Sequence, residues 1–372
     1  MSTPNLKVWV EIDKAAAKHN YQKVRSLIDK KTKLWSVVKS NAYGHGLAAF
    51  ASLINELGAD GFCVDSVIEG VKLREQGIRK PILVLGPTFP GLLADAVAND
   101  IMITISNFDA LDELNKSKFK PKFHLKLDTG MHRQGFYLDE LPEVISTIKN
   151  LKFKIENCLT GAYTHFASAK DINYPTFTDL QFAAFRAGIE QLEKAGFKNL
   201  IRHCAASGAT VIDKKYHLDA VRTGIALYGL WPSKELDVQL SDEIELKPVL
   251  SWHALVSEVK DVEVGDYVGY DLTERMVKDG KIAVIPIGYW HGFPRALSGV
   301  GEVLINGDKA KVLGRVSMDM IVVDVSDIKC ERGDVATLIG KNLPVYKMAE
   351  KIGASHYELI TRINPLIERV VQ

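Results

Sequence analysis

The sequence predicts an α/β protein made of an N-terminal (β/α)8 TIM-like barrel and a C-terminal mainly-β domain. Three observations carry this. From Lys33 onward, short apolar runs rich in β-branched residues alternate with helical stretches. The alternation repeats for about eight units without a break. Near Leu240 the texture changes to closely spaced strands with little helix between them. Periodicity alone does not separate a closed barrel from an open doubly wound sheet, but an unbroken run of that many β/α units favours closure.

The elements follow in order. Lys7 to Ile12 alternates, with Val8, Val10 and Ile12 on one side, and reads as a strand. Asp13 then stands where an N-cap precedes the Ala15-Ala16-Ala17 helix. The barrel strands are expected at Leu34 to Lys39, Gly61 to Asp65, Ile82 to Gly86, Ile101 to Ser106, Phe123 to Asp128, Leu159 to His165, Leu200 to Ala205 and Ala220 to Ile225. Leu47 to Leu57 is an amphipathic helix with Gly58 as its stop. Beyond the barrel, strands are expected at Leu250 to Val262, Lys281 to Pro286, Gly301 to Ile305, Lys309 to Leu313 and Met320 to Val325. Asn306-Gly307 marks a hairpin and Val345 to Ile352 a short helix. The expected division is residues 1–12 as a strand packed with the C-terminal domain, 13–240 as the barrel and 241–372 as the β domain.

Composition narrows the function. With 372 residues, 47% of them hydrophobic and 25% charged, the chain has ample apolar area for a large core. A formal charge of +1 with no long block of like charge argues against a nucleic-acid or membrane-surface partner and for a small molecule. Cys63, Cys158, Cys204 and Cys330 are scattered and form no C-x-x-C pair, which fits a reducing compartment. No apolar run is long enough to span a bilayer and no export signal is visible, so a cytoplasmic enzyme is expected. The histidines show no zinc-ligand spacing, and no metal is expected.

Several segments carry possible chemistry. Val37-Val38-Lys39-Ser40-Asn41-Ala42-Tyr43-Gly44-His45-Gly46 puts a lysine at the C-terminal end of the first barrel strand, where barrel enzymes place their chemistry. Alone, such a lysine is usually a solvated surface residue. Lys126-Leu127-Asp128-Thr129-Gly130-Met131-His132-Arg133, Thr164-His165-Phe166-Ala167, Ser207-Gly208 and Val221-Arg222-Thr223-Gly224-Ile225 all lie at later strand ends. In the β domain stand Val268-Gly269-Tyr270, Ile287-Gly288-Tyr289 and Gly314-Arg315-Val316-Ser317-Met318-Asp319. Each is weak in isolation; Ser-Gly pairs and single tyrosines occur everywhere, and a lone histidine is more often a satisfied core residue.

Jointly, these segments and their spacing resemble the alanine racemase family over nearly the whole chain. The resemblance implies pyridoxal 5'-phosphate as cofactor, alanine as substrate, and a homodimer with shared active sites that makes D-alanine for a bacterial cell wall. It makes Lys39 the lysine that holds the cofactor as a Schiff base and Tyr270, from the partner subunit, the second base. A lysine suits this because an imine to pyridoxal exchanges readily with an incoming amine and frees a base beside Cα. Racemisation needs a second acid/base on the opposite face. A phenol, with an ordinary pKa of about 10, needs positive neighbours for that task, and His165 and Arg222 are the candidates.

By the same resemblance Arg222 meets the pyridine nitrogen. Because arginine does not readily give up a proton, it leaves that nitrogen unprotonated and weakens the electron sink. Ser207, Gly224 and Ile225 would surround the phosphate, with Tyr43 and Tyr357 completing it. His165 would stack on the ring. Arg133 and the Met318 amide would hold the substrate carboxylate, and Tyr289 would stand at the entrance. Lys126 corresponds to a lysine that is sometimes carbamylated; the carbamate would turn it into an anion able to pair with Arg133.

Asp271 after the second base, Trp290-His291 after Tyr289 and Ser317 in place of cysteine depart from the family pattern. They put substrate preference in doubt, and the Asp271 carboxylate would disfavour a phenolate at Tyr270. Rival readings are a racemase of serine or a broader range of amino acids, a non-catalytic cofactor-binding barrel, a related decarboxylase, and a nicotinamide dehydrogenase. The last rests on Gly44-His45-Gly46-Leu47-Ala48-Ala49 with Asp65 about 20 residues on. Its first glycine lies several residues beyond the strand end rather than in the tight turn.

Overall fold

The computed structural model describes residues 6–153 and 158–372. They divide into two compact units, one of residues up to 14 with 41–49 and 248–372, the other of 15–40 with 50–247.

The second unit is the barrel. After the opening strand β1 (Val8–Ile12), which belongs to the other unit, come β2 (Lys33–Val37), β3 (Gly61–Val64), β4 (Ile82–Val84), β5 (Ile101–Ile105), β6 (Phe123–Lys126), β7 (Leu159–Tyr163), β8 (Ile201–His203) and β9 (Ala220–Thr223). They form an 8-stranded parallel sheet in the order β8-β7-β6-β5-β4-β3-β2-β9. The seam between β8 and β9 is bridged by an isolated Ala206–Arg222 pairing and by Arg222 N–H donating to the Ala205 carbonyl at 2.9 Å. β3, β4, β5, β6 and β9 are buried along their whole length, as strands covered on both faces must be.

Helices fill the gaps. The first, Lys14–Leu27, buries Ala16, Ala17, Asn20, Tyr21 and Val24 on one helical face. Leu47–Glu56 ends before Gly58, which sits at φ +99° as a helix stop requires. Each barrel strand is shorter at its C-terminal end than the apolar pattern suggests, because the last residues of each run leave the ladder for the loops that carry polar side chains.

The other unit is built on a 9-stranded sheet. Its strands are β10 (Leu250–Leu255), β11 (Glu258–Val262), β12 (Tyr267–Val268), β13 (Glu274–Arg275), β14 (Gly280–Ile285), β15 (Glu302–Ile305), β16 (Asp308–Leu313), β17 (Ile321–Asp324), β18 (Val335–Ile339) and β19 (Glu368–Val371), with β12 and β13 forming a separate hairpin. The order of the large sheet is β11-β14-β17-β16-β15-β18-β10-β1-β19. β1 therefore lies inside it, antiparallel to β10 and parallel to β19. The β15–β16 hairpin turns at Asn306 and Gly307, both at positive φ, as Asn-Gly turns do.

One strand reading needs correction. Leu250 to Val262 is two strands: Val256 N–H bonds to Asp334 O and Ser257 N–H to Val284 O, so the chain changes partners there. The apolar alternation runs on through the break and conceals it. Four strands, β12, β13, β18 and β19, and the helix His356–Thr361 have no counterpart in the sequence reading.

Candidate active site

The barrel strands end in a ring of polar side chains. Val38 N–H continues the β2 ladder to Cys63 O at 2.9 Å, and Lys39 follows with its Nζ 3.6 Å from Asp65 Oδ1. The next residues form a single helical turn, Lys39–Tyr43, which is left-handed: Ser40, Asn41, Ala42 and Tyr43 have φ of 55°, 56°, 51° and 52°. Such a turn costs about 1–2 kcal/mol per residue with a Cβ, so its surroundings must hold it. Glu69 does so on one side, accepting from Ser40 N at 2.7 Å and from Asp65 N at 2.8 Å. Asn41 does so on the other, its Oδ1 accepting from Leu47 N and its carbonyl from Gly46 N. Gly44 closes the segment at φ +83°, where a Cβ would lie 1.9 Å from the Ile360 carbonyl oxygen.

Arg222, from the end of β9, is buried inside the barrel. Its Nη1 donates to His203 Nδ1 at 2.6 Å and His203 O at 3.0 Å, and its Nη2 to Thr164 O at 2.8 Å. Nη2 also lies 3.4 Å from His165 Nδ1. The Nε–H has no partner among the described residues. His165 is held neutral, its pKa pushed down to about 3 by burial first and then by Arg222, Arg133, Lys126 and Lys39. That direction argues against His165 as a positive neighbour for a phenol and leaves Arg222 as the candidate of the two. Arg222 and Lys126 both lie over the Tyr163 ring, at 5.0 and 5.6 Å from its centroid.

Beside Arg222, Ser207 Oγ accepts from Gly224 N at 3.0 Å and Ala226 N at 3.4 Å, which leaves its own hydroxyl hydrogen free to be donated. The Ile225 N–H takes no bond among the described residues. Gly208 packs so tightly that a Cβ would lie 2.1 Å from Ala169 O.

Lys126 and Arg133 flank a loop organised by Asp128. Its Oδ1 accepts from the backbone N–H groups of Gly130, Met131 and His132 at 2.9, 2.9 and 3.1 Å, and its Oδ2 from that of Arg133 at 3.1 Å. Burial would raise its pKa, but these bonds hold it below the usual range. Lys126 Nζ donates to Gln134 Oε1 at 2.9 Å, and its pKa is lowered to about 8 by burial first and then by Arg133 and Arg222. Asp128, Glu69, His124 and His203 were given no role in the sequence reading. Only Asp128 carried a signal, the Asp-Thr-Gly turn.

The β unit gathers the remaining candidates. Tyr43 and Tyr357 stand with ring centroids 6.1 Å apart, and burial raises the Tyr357 pKa. Tyr270 is 67% exposed on the short turn Tyr270–Leu272, where Asp271 and Leu272 adopt φ of 63° and 53°. Asp271 is not a bare carboxylate: its Oδ2 pairs with Arg315 Nε at 2.6 Å. Tyr289 N bonds to Ser317 O and Trp290 N to Met318 O, both at 3.0 Å, so the entrance candidate and the Met318 segment are neighbours. A Cβ on Gly288 would lie 2.2 Å from Ser317 O, which is what lets the two segments touch.

The side chains present fit a pyridoxal phosphate. A primary amine stands at the mouth, an arginine N–H is left over among the described residues for an acceptor such as a ring nitrogen, and a hydroxyl with a spare hydrogen lies beside an amide unbonded among them.

Comparison with known proteins agrees with that fit. A model of the alanine racemase N-terminal domain matches residues 12–232, and one of the C-terminal domain matches residues 249–371. The chain is 37% identical over 375 residues to an alanine racemase of Methanococcus maripaludis, covering 98% of each. It is 33% identical to the solved alanine racemase of Bacillus anthracis with bound L-Ala-P, at a TM-score of 0.93, covering 100% of this chain and 96% of that one. The Clostridium difficile alanine racemase structure gives a TM-score of 0.92 at 30% identity, covering 100% and 97%.

Proposed function

The chain belongs to the alanine racemase family, and from that premise we propose that Lys39 and Tyr270 are its two acid/base groups, with Tyr270 supplied by a partner subunit. It is a pyridoxal-phosphate-dependent isomerase that interconverts L-alanine and D-alanine. The observation that supports the site assignment is the cationic cluster at the strand ends: Arg222 Nη2 lies 3.4 Å from His165 Nδ1, Arg222 and Lys126 lie over the Tyr163 ring at 5.0 and 5.6 Å, and Lys39 and Arg133 are near enough to depress the His165 pKa.

When bound, the cofactor withdraws the electron pair that Cα keeps once its proton leaves. The chain's own groups do the rest. Lys39 Nζ takes or gives the Cα proton on one face, and Tyr270 Oη does so on the other, so one proton leaves as another arrives. Arg222 would offer its Nε–H to the cofactor's ring nitrogen and, being unable to give up that proton, would leave the nitrogen an acceptor. Ser207, Gly224 and Ile225, with Tyr43 and Tyr357, hold the phosphate in this reading. Arg133 and the Met318 amide hold the substrate carboxylate, Tyr289 lines the entrance, and a carbamate on Lys126 orients Arg133. The amine of Lys126 is depressed enough to be partly neutral near pH 8, the form that attacks carbon dioxide.

Several large apolar side chains stay exposed on the β unit, among them Tyr270, Leu272, Val277, Trp290, Met318 and Met320. Exposed apolar side chains of that kind support a homodimer in which each barrel borrows Tyr270 and Met318. A cytoplasmic enzyme supplying D-alanine to the cell wall fits this reading, and no helix among the described residues is long and apolar enough to cross a membrane.

The test is to reduce the holoenzyme with borohydride, digest it and map the phosphopyridoxyl peptide. Lys39 should carry the label; a label on any other lysine overturns the assignment.

A further inference from the structure

Below the mouth, three buried side chains form an unbranched line across the barrel interior. Arg222 Nη1 lies 2.6 Å from His203 Nδ1, and His203 Nε2 lies 2.7 Å from His124 Nδ1. The line ends at His124 Nε2, which is buried with no hydrogen-bond partner among the described residues.

The chemistry of the first member fixes the rest. A guanidinium only donates, so His203 Nδ1 must accept and its proton must sit on Nε2. His203 Nε2–H then donates to His124 Nδ1, which places the His124 proton on Nε2 as well. A charge on either ring would set donor against donor. Burial opposes such a charge too: the His124 pKa falls to about 3, through desolvation first and then Arg222 and Lys33, and that of His203 falls well below its ordinary value. The walls fix the rings. A Cβ on Gly161 would lie 2.5 Å from the His124 ring, and Tyr163 stacks on His203 with centroids 4.8 Å apart and planes at 6°. Trp35 packs against both rings at 5.5 and 5.2 Å.

We propose that His124 and His203 form a positioning relay with one permitted polarity, which aims Arg222 so that its Nε–H alone remains for the ring nitrogen of the bound cofactor. The inference rests on the assignment of Arg222 to that nitrogen. His124 is a positioning residue that acts through His203 and Arg222. Without its acceptor, the His203 Nε2–H is left unsatisfied in a buried site. Moving that proton to Nδ1 would confront Arg222 Nη1 and turn the guanidinium off its aim.

The first test uses side-chain nitrogen–proton correlation spectra of the full-length protein without cofactor, labelled at histidine, with His124→Gln and His203→Gln assigning the signals. Both rings should be neutral Nε2–H tautomers at neutral pH. An Nδ1–H or charged His203 overturns the relay. The second test compares His124→Leu with His124→Gln, whose amide oxygen keeps an acceptor. The leucine variant should lose about tenfold in cofactor affinity and in kcat, at unchanged KM for alanine, as one unsatisfied buried donor predicts. It should also shift the visible absorption of the holoenzyme, and glutamine should restore most of each change. Equal losses in the two variants, or none in leucine, overturn the proposal. Should leucine prevent folding, the wild-type spectra still decide. If Arg222→Gln leaves the visible absorption unchanged while the histidine tautomers are as stated, it is the Arg222 assignment that fails.

Discussion

At the barrel mouth, Arg222 is buried with both Nη groups engaged, Asp128 gathers four backbone N–H groups, and Ser207 already holds the Gly224 amide. On the β unit, Tyr270 is 67% exposed and Met318 is 55% exposed, and the charge nearest Tyr270 in sequence is tied to Arg315. One region is an electrostatic device finished within its own chain; the other is a surface whose apolar side chains lack a cover. On the proposed assignment the contrast teaches that preorganisation in this protein is divided: the groups that would hold a charged cofactor are fixed before it binds, whereas the proposed second base would rely on assembly.

The largest expected effects test that division directly. Lys39→Ala should lower kcat by about 10⁴-fold and Tyr270→Phe by about 10³-fold, since each removes an acid/base from one face of Cα. If the site is shared, a mixture of the two inactive variants forms hybrid dimers. In each hybrid one site carries both substitutions and the other carries neither. Unfolding and refolding the variants together in equal amounts should therefore restore about a quarter of wild-type activity. A mixture no more active than its parents, with hybrid dimers confirmed by native mass spectrometry, would show that Lys39 and Tyr270 of one chain serve one site.

A smaller effect sharpens the account of the barrel side. Lys126 has a folded pKa of about 8, depressed from its ordinary value by burial and by neighbouring cations. Its neutral fraction therefore rises as pH climbs through that value and falls below it. At fixed dissolved carbon dioxide, carbamate on Lys126 should be scarce at about pH 6.5 and substantial at about pH 8.5. Carbon-13 NMR in labelled carbon dioxide reads this on the intact protein. Lys126→Ala should abolish the signal and reduce kcat/KM by about tenfold, through loss of a charge-assisted bond to Arg133. A carbamate signal that persists in the variant would assign the modification to another amine.

The same contrast marks what the sequence made legible. The parallel barrel strands announce themselves, because burial on both faces demands unbroken apolar runs, and Lys39 stands out by its position at a strand end. The left-handed turn at 40–43 does not, since Ser-Asn-Ala-Tyr carries no glycine and only contacts from Glu69 and the loop beyond it make the turn tolerable. The His124–His203 line is equally hidden, because its members come from strands 79 residues apart and meet only once the barrel closes. The neutral state of His165 depends on burial and on four cations drawn from three strand ends, those of β2, β6 and β9. The break at Val256 and Ser257 was missed because partner exchange leaves the apolar alternation intact.

The smallest effect concerns Asp271, where the sequence pattern alone suggested interference with the second base. The Arg315 guanidinium, 2.6 Å away, already offsets most of the carboxylate's field, and both groups are exposed enough for solvent to screen the remainder. Asp271 also occupies a positive-φ position, φ 63°, that asparagine adopts readily. Asp271→Asn should therefore keep the turn, remove the charge and alter kcat/KM by no more than about twofold at moderate salt. Asp271→Val, whose branched side chain resists that backbone region, should lose more than asparagine does by displacing Tyr270. If instead the asparagine variant is as impaired as the valine variant, the carboxylate itself takes part in catalysis, and the exposed face is as electrostatically tuned as the barrel mouth.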